Sequence, residues 1–181
     1  MTIGIDKIGF ATSQYVLRLS ELAAARNTDP EKLSKGLLLK EMSIAPITED
    51  IVTLGASASD SMLTEEEKEE IDMVILATES GIDQSKAAAV FVHGLLDIQP
   101  FARSFEMKEA CYAATAALDY AKLHVEKFPQ SKVVVIASDI AKYGIGTPGE
   151  PTQGAGAVAM LISQNPRILS FNDDNVAQTR D

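Results

Sequence analysis

"IDMVILATES", residues 71–80, is a short, unbroken apolar run that closes on polar residues. A half-exposed strand alternates apolar and polar residues, whereas a run without alternation marks a strand covered on both faces. The pattern recurs in "SKVVVIASDI", residues 131–140. Between the two lie "DQSKAAAVFVHGLL", a mostly apolar helix, "FARSFEM", a strand, and "CYAATAALDYAKLHVEKF", a long helix. Buried strands alternating with helices predict an α/β layered architecture. Upstream, "TIGIDKIGFATS" reads as a first strand, and "SQYVLRLSELAAARN" has helical spacing with Thr12 and Ser13 as possible caps. In "DPEKLSKGLLLK", Asp29 is placed to cap a helix and Pro30 occupies the favoured first helical position. "DIVTLGASASDSML" and "TEEEKEEI" are two further helices, the second with Thr64 before acidic residues that suit a helix N-terminus, and "AVAMLIS" and "RILSF" are strand-like.

The totals narrow the function classes. The 181 residues carry a formal net charge of −10, with 46% hydrophobic and 23% charged residues. That balance fits one globular domain over 1–181 and argues against nucleic acid or an anionic membrane as the main partner. A single cysteine forms no internal disulfide, which fits a reducing, cytoplasmic setting. No apolar stretch approaches the ~20 residues that span a bilayer, and the N-terminus lacks the pattern of a secretory signal. No repeat or low-complexity linker divides the chain, and the tail "NDDNVAQTRD" is polar, without a closing element.

Two positions stand out chemically. Cys111 precedes a helix with Ala114, Ala117, Leu118, Ala121, Val125 and Phe128 on one inward stripe. At a helix mouth, N–H groups and the macrodipole favour a thiolate and can hold an oxyanion. The plainer alternative is a small residue filling a gap, as most lone cysteines do. Glu79 follows the end of a buried strand, where ligands collect in α/β sheets and a carboxylate can act as general acid or base; a solvated loop glutamate is the plainer alternative. His124 lies thirteen residues beyond Cys111, roughly 20 Å along a straight helix, too far to pair with the thiol. His93 lies in an apolar helix. Gly144, Gly146 and Gly149 spell G-x-G-x-x-G, but Pro148 and Pro151 interrupt the segment and no helix follows to receive a pyrophosphate. A flexible loop is the better reading. One cysteine and two separated histidines predict no metal site.

Together, "ATESGIDQSKAAA", "SFEMKEACYAATAAL", "VVIASDIAKYG", "PTQGAGAVAML" and the opening "TIGIDKIGFATSQYVL" resemble the 3-hydroxy-3-methylglutaryl-CoA synthase family in its bacterial form. The resemblance implies the N-terminal half of a thiolase-like fold, which is built from duplicated layered α/β halves and is usually homodimeric. It implies condensation of acetyl-CoA with acetoacetyl-CoA in the mevalonate route to isoprenoids, with no cofactor beyond these substrates. By the same resemblance Cys111 carries the acetyl thioester and Glu79 moves the methyl proton. Thr152 lines the acyl pocket, and Asp29 and Pro30 lie near the CoA nucleotide. Ala113 departs from the family's usual glycine after "ACY". The family's catalytic histidine belongs to a second half, so the 181 residues alone are expected to be inactive. Two rivals remain at this point: a related ketoacyl synthase that uses the cysteine without the glutamate, and a non-catalytic scaffold or dimerisation half.

Overall fold

The computed structural model describes residues 2–172 together with 174 and 178, so most of the polar tail lies outside the described residues. A six-stranded sheet forms the centre, in the order β5-β4-β6-β7-β1-β8. Its members are β1 (Ile3–Thr12), β4 (Ile71–Ala77), β5 (Arg103–Met107), β6 (Lys132–Ala141), β7 (Gly154–Gln164) and β8 (Leu169–Ser170). β4 runs parallel to β5 and β6; β7 is antiparallel to both β6 and β1. A separate ribbon pairs β2 (Tyr15–Arg18) with β3 (Glu41–Ile44).

The unbroken apolar run of β4 has a direct cause. Val74 and Leu76 pack on one face with Ile51, Leu54, Val92, Val134 and Ile136, beneath α3 (Ile51–Asp60) and α5 (Ala88–Leu95). Met73 and Ile75 pack on the opposite face with Val133, Val135, Ala117, Ala121 and Val125, beneath α6 (Ala113–Lys127). All four of these β4 side chains are fully buried, each contributing on the order of 2 kcal/mol of transfer free energy. The inward stripe of α6 follows the expected period, with Ala113 added to it and Phe128 half exposed. On the α3 face the packing is close enough to demand glycine: a Cβ at Gly9 of β1 would lie 2.1 Å from the Ala58 carbonyl oxygen.

Two elements differ from the sequence reading. The segment expected to be helical from Ser13 is strand over Tyr15–Arg18, and α1 begins only at Leu19 and ends at Ala25. Ser13 is not a cap; its N–H donates to the Ser43 hydroxyl and its own hydroxyl donates to the Ile44 carbonyl, which docks this stretch onto β3. Likewise α5 starts at Ala88 rather than near residue 83, because the Asp83 carboxylate accepts the N–H groups of Ser85 and Lys86 at 2.7 and 2.9 Å. That side-chain turn competes with helix over those residues. The helix α2 (Pro30–Leu37) matches expectation, with Asp29 accepting the Glu31 N–H at 2.9 Å. The short α4 (Glu65–Lys68) is capped by Thr64. The glycine-rich stretch is a loop ending in a 3-10 turn, Glu150–Thr152, and leads into β7, as the prolines require.

Candidate active site

The three parallel strands β5, β4 and β6 end together, and the polar residues that terminate them meet there. Past the end of β4, the Thr78 N–H donates to the Met107 carbonyl at 3.2 Å, extending the ladder by one step. The chain then turns around a single acceptor on β6. Asp139 Oδ1 receives the Thr78 hydroxyl at 2.9 Å, the Glu79 N–H at 2.7 Å, the Ser80 N–H at 3.0 Å and the Ser80 hydroxyl at 2.8 Å. Four donors on one carboxylate oxygen make short, charge-assisted bonds and fix the backbone at Glu79.

The side chain of Glu79 meets the cysteine. Cys111 Sγ donates to Glu79 Oε1 at 3.3 Å, and both residues are exposed. Cys111 lies two residues before α6 rather than in its first turn. It follows Ala110, which has a left-handed φ of 45°, an unusual conformation for a residue with a Cβ. The turn uses the nearest amides itself: Tyr112 N–H donates to the Glu109 carbonyl and Ala113 N–H to the Ala110 carbonyl. The expectation of a helix-mouth thiolate is therefore corrected. The hydrogen bond to Glu79, followed by the charge of that carboxylate and by burial, pushes the thiol above its usual range; the Asp139 charge adds to this and the Cys111 N–H opposes it. The thiol thus points at a carboxylate oxygen within hydrogen-bond reach.

The other residues singled out by sequence lie apart. Among the described residues no hydrogen bond or ion pair joins Asp29, Pro30 or Thr152 to Cys111 or Glu79. Thr152 sits in the 3-10 turn, its hydroxyl donating to the Gly149 carbonyl at 2.8 Å. The next residue, Gln153, lines a 340 Å³ cleft with Ser43, Ile44, Ile140 and Ile145. That loop is clamped from α1's end: Arg26 Nε and Nη2 bind the buried Glu150 carboxylate at 2.9 and 2.6 Å, and Glu150 also accepts the Gly146 N–H at 2.9 Å. The larger cleft, 630 Å³ along α6 and the start of the tail, contains neither Cys111 nor Glu79. His124 packs on Phe128, ring centroids 5.0 Å apart, and His93 Nε2 pairs with the Gln99 carbonyl. Neither is a partner for the thiol. Among the described residues no group of three or more His, Cys, Asp or Glu is placed to hold a metal, and no helix is long and apolar enough to cross a membrane.

Asp139, Thr78 and Ser80 were not identified by sequence reasoning. The signal was present, since "ATES" and "ASDI" both close a buried apolar run with polar residues, and paired strand ends bring such residues together.

Comparison with known proteins places the fold in a family. Residues 2–167 match the family described as hydroxymethylglutaryl-coenzyme A synthase N terminal. The hydroxymethylglutaryl-CoA synthase of Enterococcus faecalis is 59% identical over 181 residues, all of this chain and 47% of that protein. The polyketide biosynthesis 3-hydroxy-3-methylglutaryl-ACP synthase PksG of Bacillus subtilis is 34% identical, over 95% of this chain and 44% of that one. A crystal structure of an HMG-CoA synthase complexed with CoA superposes with a TM-score of 0.98 at 70% identity, covering this whole chain and 47% of that chain. The chain thus spans about half the length of the curated relatives it matches, and its fold is the thiolase-like fold of these structures. With strand ends, cysteine and carboxylate arranged as described, it belongs to the hydroxymethylglutaryl-CoA synthase family and corresponds to that family's N-terminal region.

Proposed function

We propose that this chain carries the acyl-bearing part of an HMG-CoA synthase site, taking acetyl-CoA and acetoacetyl-CoA as substrates. The observation that carries the reading is the contact of Cys111 Sγ with Glu79 Oε1 at the ends of parallel strands. The Cys111 sulfur attacks the carbonyl of acetyl-CoA and the C–S bond to CoA breaks. CoA leaves as its thiol with the proton the cysteine gave up, and the acetyl group remains as a thioester. Its methyl carbon then stands two bonds from sulfur, on the side where Glu79 already reaches. Glu79 removes a methyl proton, made acidic by the thioester, and the resulting carbanion forms a C–C bond with the ketone carbon of acetoacetyl-CoA. The ketone π bond breaks, and its oxygen takes up the proton that Glu79 gives back, leaving a tertiary alcohol and the carboxylate. Water finally cleaves the bond between the product's acyl carbon and Sγ, returning the thiol. No step calls for a resident cofactor. Asp29, Pro30 and Thr152 are assigned to CoA and acyl binding by family resemblance, and a homodimer in the cytoplasm completes the proposal.

The Cys111–Glu79 contact favours this reading over a ketoacyl synthase, which would have no use for the glutamate. The test is acetylation of the full-length protein by labelled acetyl-CoA. Label should appear on Cys111, vanish in Cys111→Ala, and persist in Glu79→Ala while condensation fails. Unchanged condensation in Glu79→Ala would instead support the ketoacyl synthase, and absence of any acetyl-enzyme would support a scaffold.

A further inference from the structure

The loop that presents Glu79 runs from the end of β4 to the start of α5, residues 78–87. Its near end is fixed by Asp139 and by the Thr78–Met107 bond. Its far end meets a second carboxylate. Glu106 Oε2, on β5, accepts the Ala88 N–H at 2.8 Å. Ala88 is the first residue of α5, and the preceding Ala87 has no side-chain acceptor to cap the helix. Glu106 therefore provides, from a neighbouring strand, the acceptor that a serine or aspartate commonly supplies locally. Its other oxygen stands where a side chain on the middle of the loop would go: a Cβ at Gly81 would lie 2.9 Å from Glu106 Oε1 and 3.5 Å from Lys108 Nζ. Glu106 is also five residues before Cys111 on the same stretch of chain. One side chain thus spans from the segment that bears the thiol to the loop that bears its partner.

We infer that Glu106 is a positioning residue, holding the far end of the 78–87 loop so that the Glu79 carboxylate stays against Cys111. The inference rests on the reading of Cys111 and Glu79 as the reacting pair. Simple helix capping would leave the thiol unaffected, so the two roles separate in the ionisation of Cys111. Glu79 and Asp139 are the carboxylates that keep the proton on this sulfur. Withdrawing Glu79 relieves the larger part of that effect.

The experiment is the pH dependence of iodoacetamide alkylation at Cys111 in the full-length protein, read on the Cys111 peptide by mass spectrometry. Glu79→Gln sets the scale by moving the midpoint to lower pH. Glu106→Ala should recover roughly half or more of that downward displacement, whereas Glu106→Gln, which keeps an oxygen acceptor for Ala88, should stay near the wild-type midpoint. In a Glu79→Gln background, Glu106→Ala should add nothing. Gly81→Ala, which crowds the same carboxylate without removing it, should shift the midpoint in the same direction and provides a second route if Glu106→Ala folds poorly. An unshifted midpoint in both Glu106→Ala and Gly81→Ala overturns the inference. An equal shift with and without Glu79 also overturns it, since Glu106 would then act by its own charge. A midpoint unmoved by Glu79→Gln itself would sink the Cys111–Glu79 pairing, a failure distinct from that of Glu106.

Discussion

Removing the Asp139 carboxylate should loosen the Glu79 backbone by an amount that the hydrogen bonds allow to be worked out. Of the four donors on Oδ1, two have other partners at hand. The Ser80 N–H also reaches the Thr78 hydroxyl at 3.0 Å, and the Ser80 hydroxyl also reaches the Ile140 carbonyl at 3.2 Å. The Thr78 hydroxyl is buried and keeps the Ser80 N–H as a donor to its oxygen. The Glu79 N–H, at 2.7 Å from Oδ1, has only this acceptor among the described residues. A hydrogen bond to a charged group is worth about 1.5–3 kcal/mol, so Asp139→Ala should cost the closed loop about 2–3 kcal/mol. At about 1.4 kcal/mol per tenfold, the open loop becomes roughly 30- to 150-fold more populated. Amide hydrogen exchange at Glu79 reads that population directly, and its protection should fall by the same factor. Asp139→Asn keeps an oxygen in the same place and should cost about 1 kcal/mol, a roughly fivefold loss. A fall of less than about threefold in Asp139→Ala, with the fold intact, would refute the claim that this one oxygen anchors the loop.

Three further outcomes follow from named groups. Because the Glu79 carboxylate holds the Cys111 thiol above its usual range, Glu79→Gln should move the alkylation profile to lower pH; an upward movement would contradict the geometry. The Arg26 guanidinium, helped by the Gly146 N–H, holds the Glu150 carboxyl down at about 2 against an ordinary 4.5. A carboxyl lowered on folding stabilises the protein above its unfolded value and loses that stabilisation as pH falls toward the folded one. Urea denaturation between about pH 4.5 and 2 should therefore show a shallower acid loss in Arg26→Met than in the parent, and an identical slope would refute the ion pair's role. Ala110, at φ 45°, adopts a conformation that costs an L-residue about 1–2 kcal/mol, part of which Ala110→Gly returns as unfolded-chain entropy. Thermal unfolding should show a net gain of up to about 1 kcal/mol, and a clear loss would mean the left-handed turn before Cys111 is not strained.

The two central strands could be read from residues 71–80 and 131–140 alone, because a strand covered on both faces needs apolar side chains in both directions. The cap Asp29 was legible for a similar reason: its bond goes to an amide two residues away. Cys111 and Glu79 were each visible as residue types at the edge of an element, and the family motifs joined them. Where the reading failed, the deciding partner was distant in sequence. Tyr15–Arg18 has helical spacing but pairs with Glu41–Ile44, and ladder partners 23 to 29 residues away leave no mark on local periodicity. The thiol's ionisation was misjudged for the same reason. A helix dipole is a local property, whereas the carboxylates that push this thiol up come from residues 79 and 139, brought beside Cys111 only when β5, β4 and β6 align their ends. Local sequence thus determined which segments are buried strands and helices, since burial and capping act over a few residues. Only the tertiary structure decided the partner of the Cys111 thiol, the anchoring of Glu79 by Asp139 and the reach of Glu106, because electrostatic and hydrogen-bond partners are chosen by proximity in space.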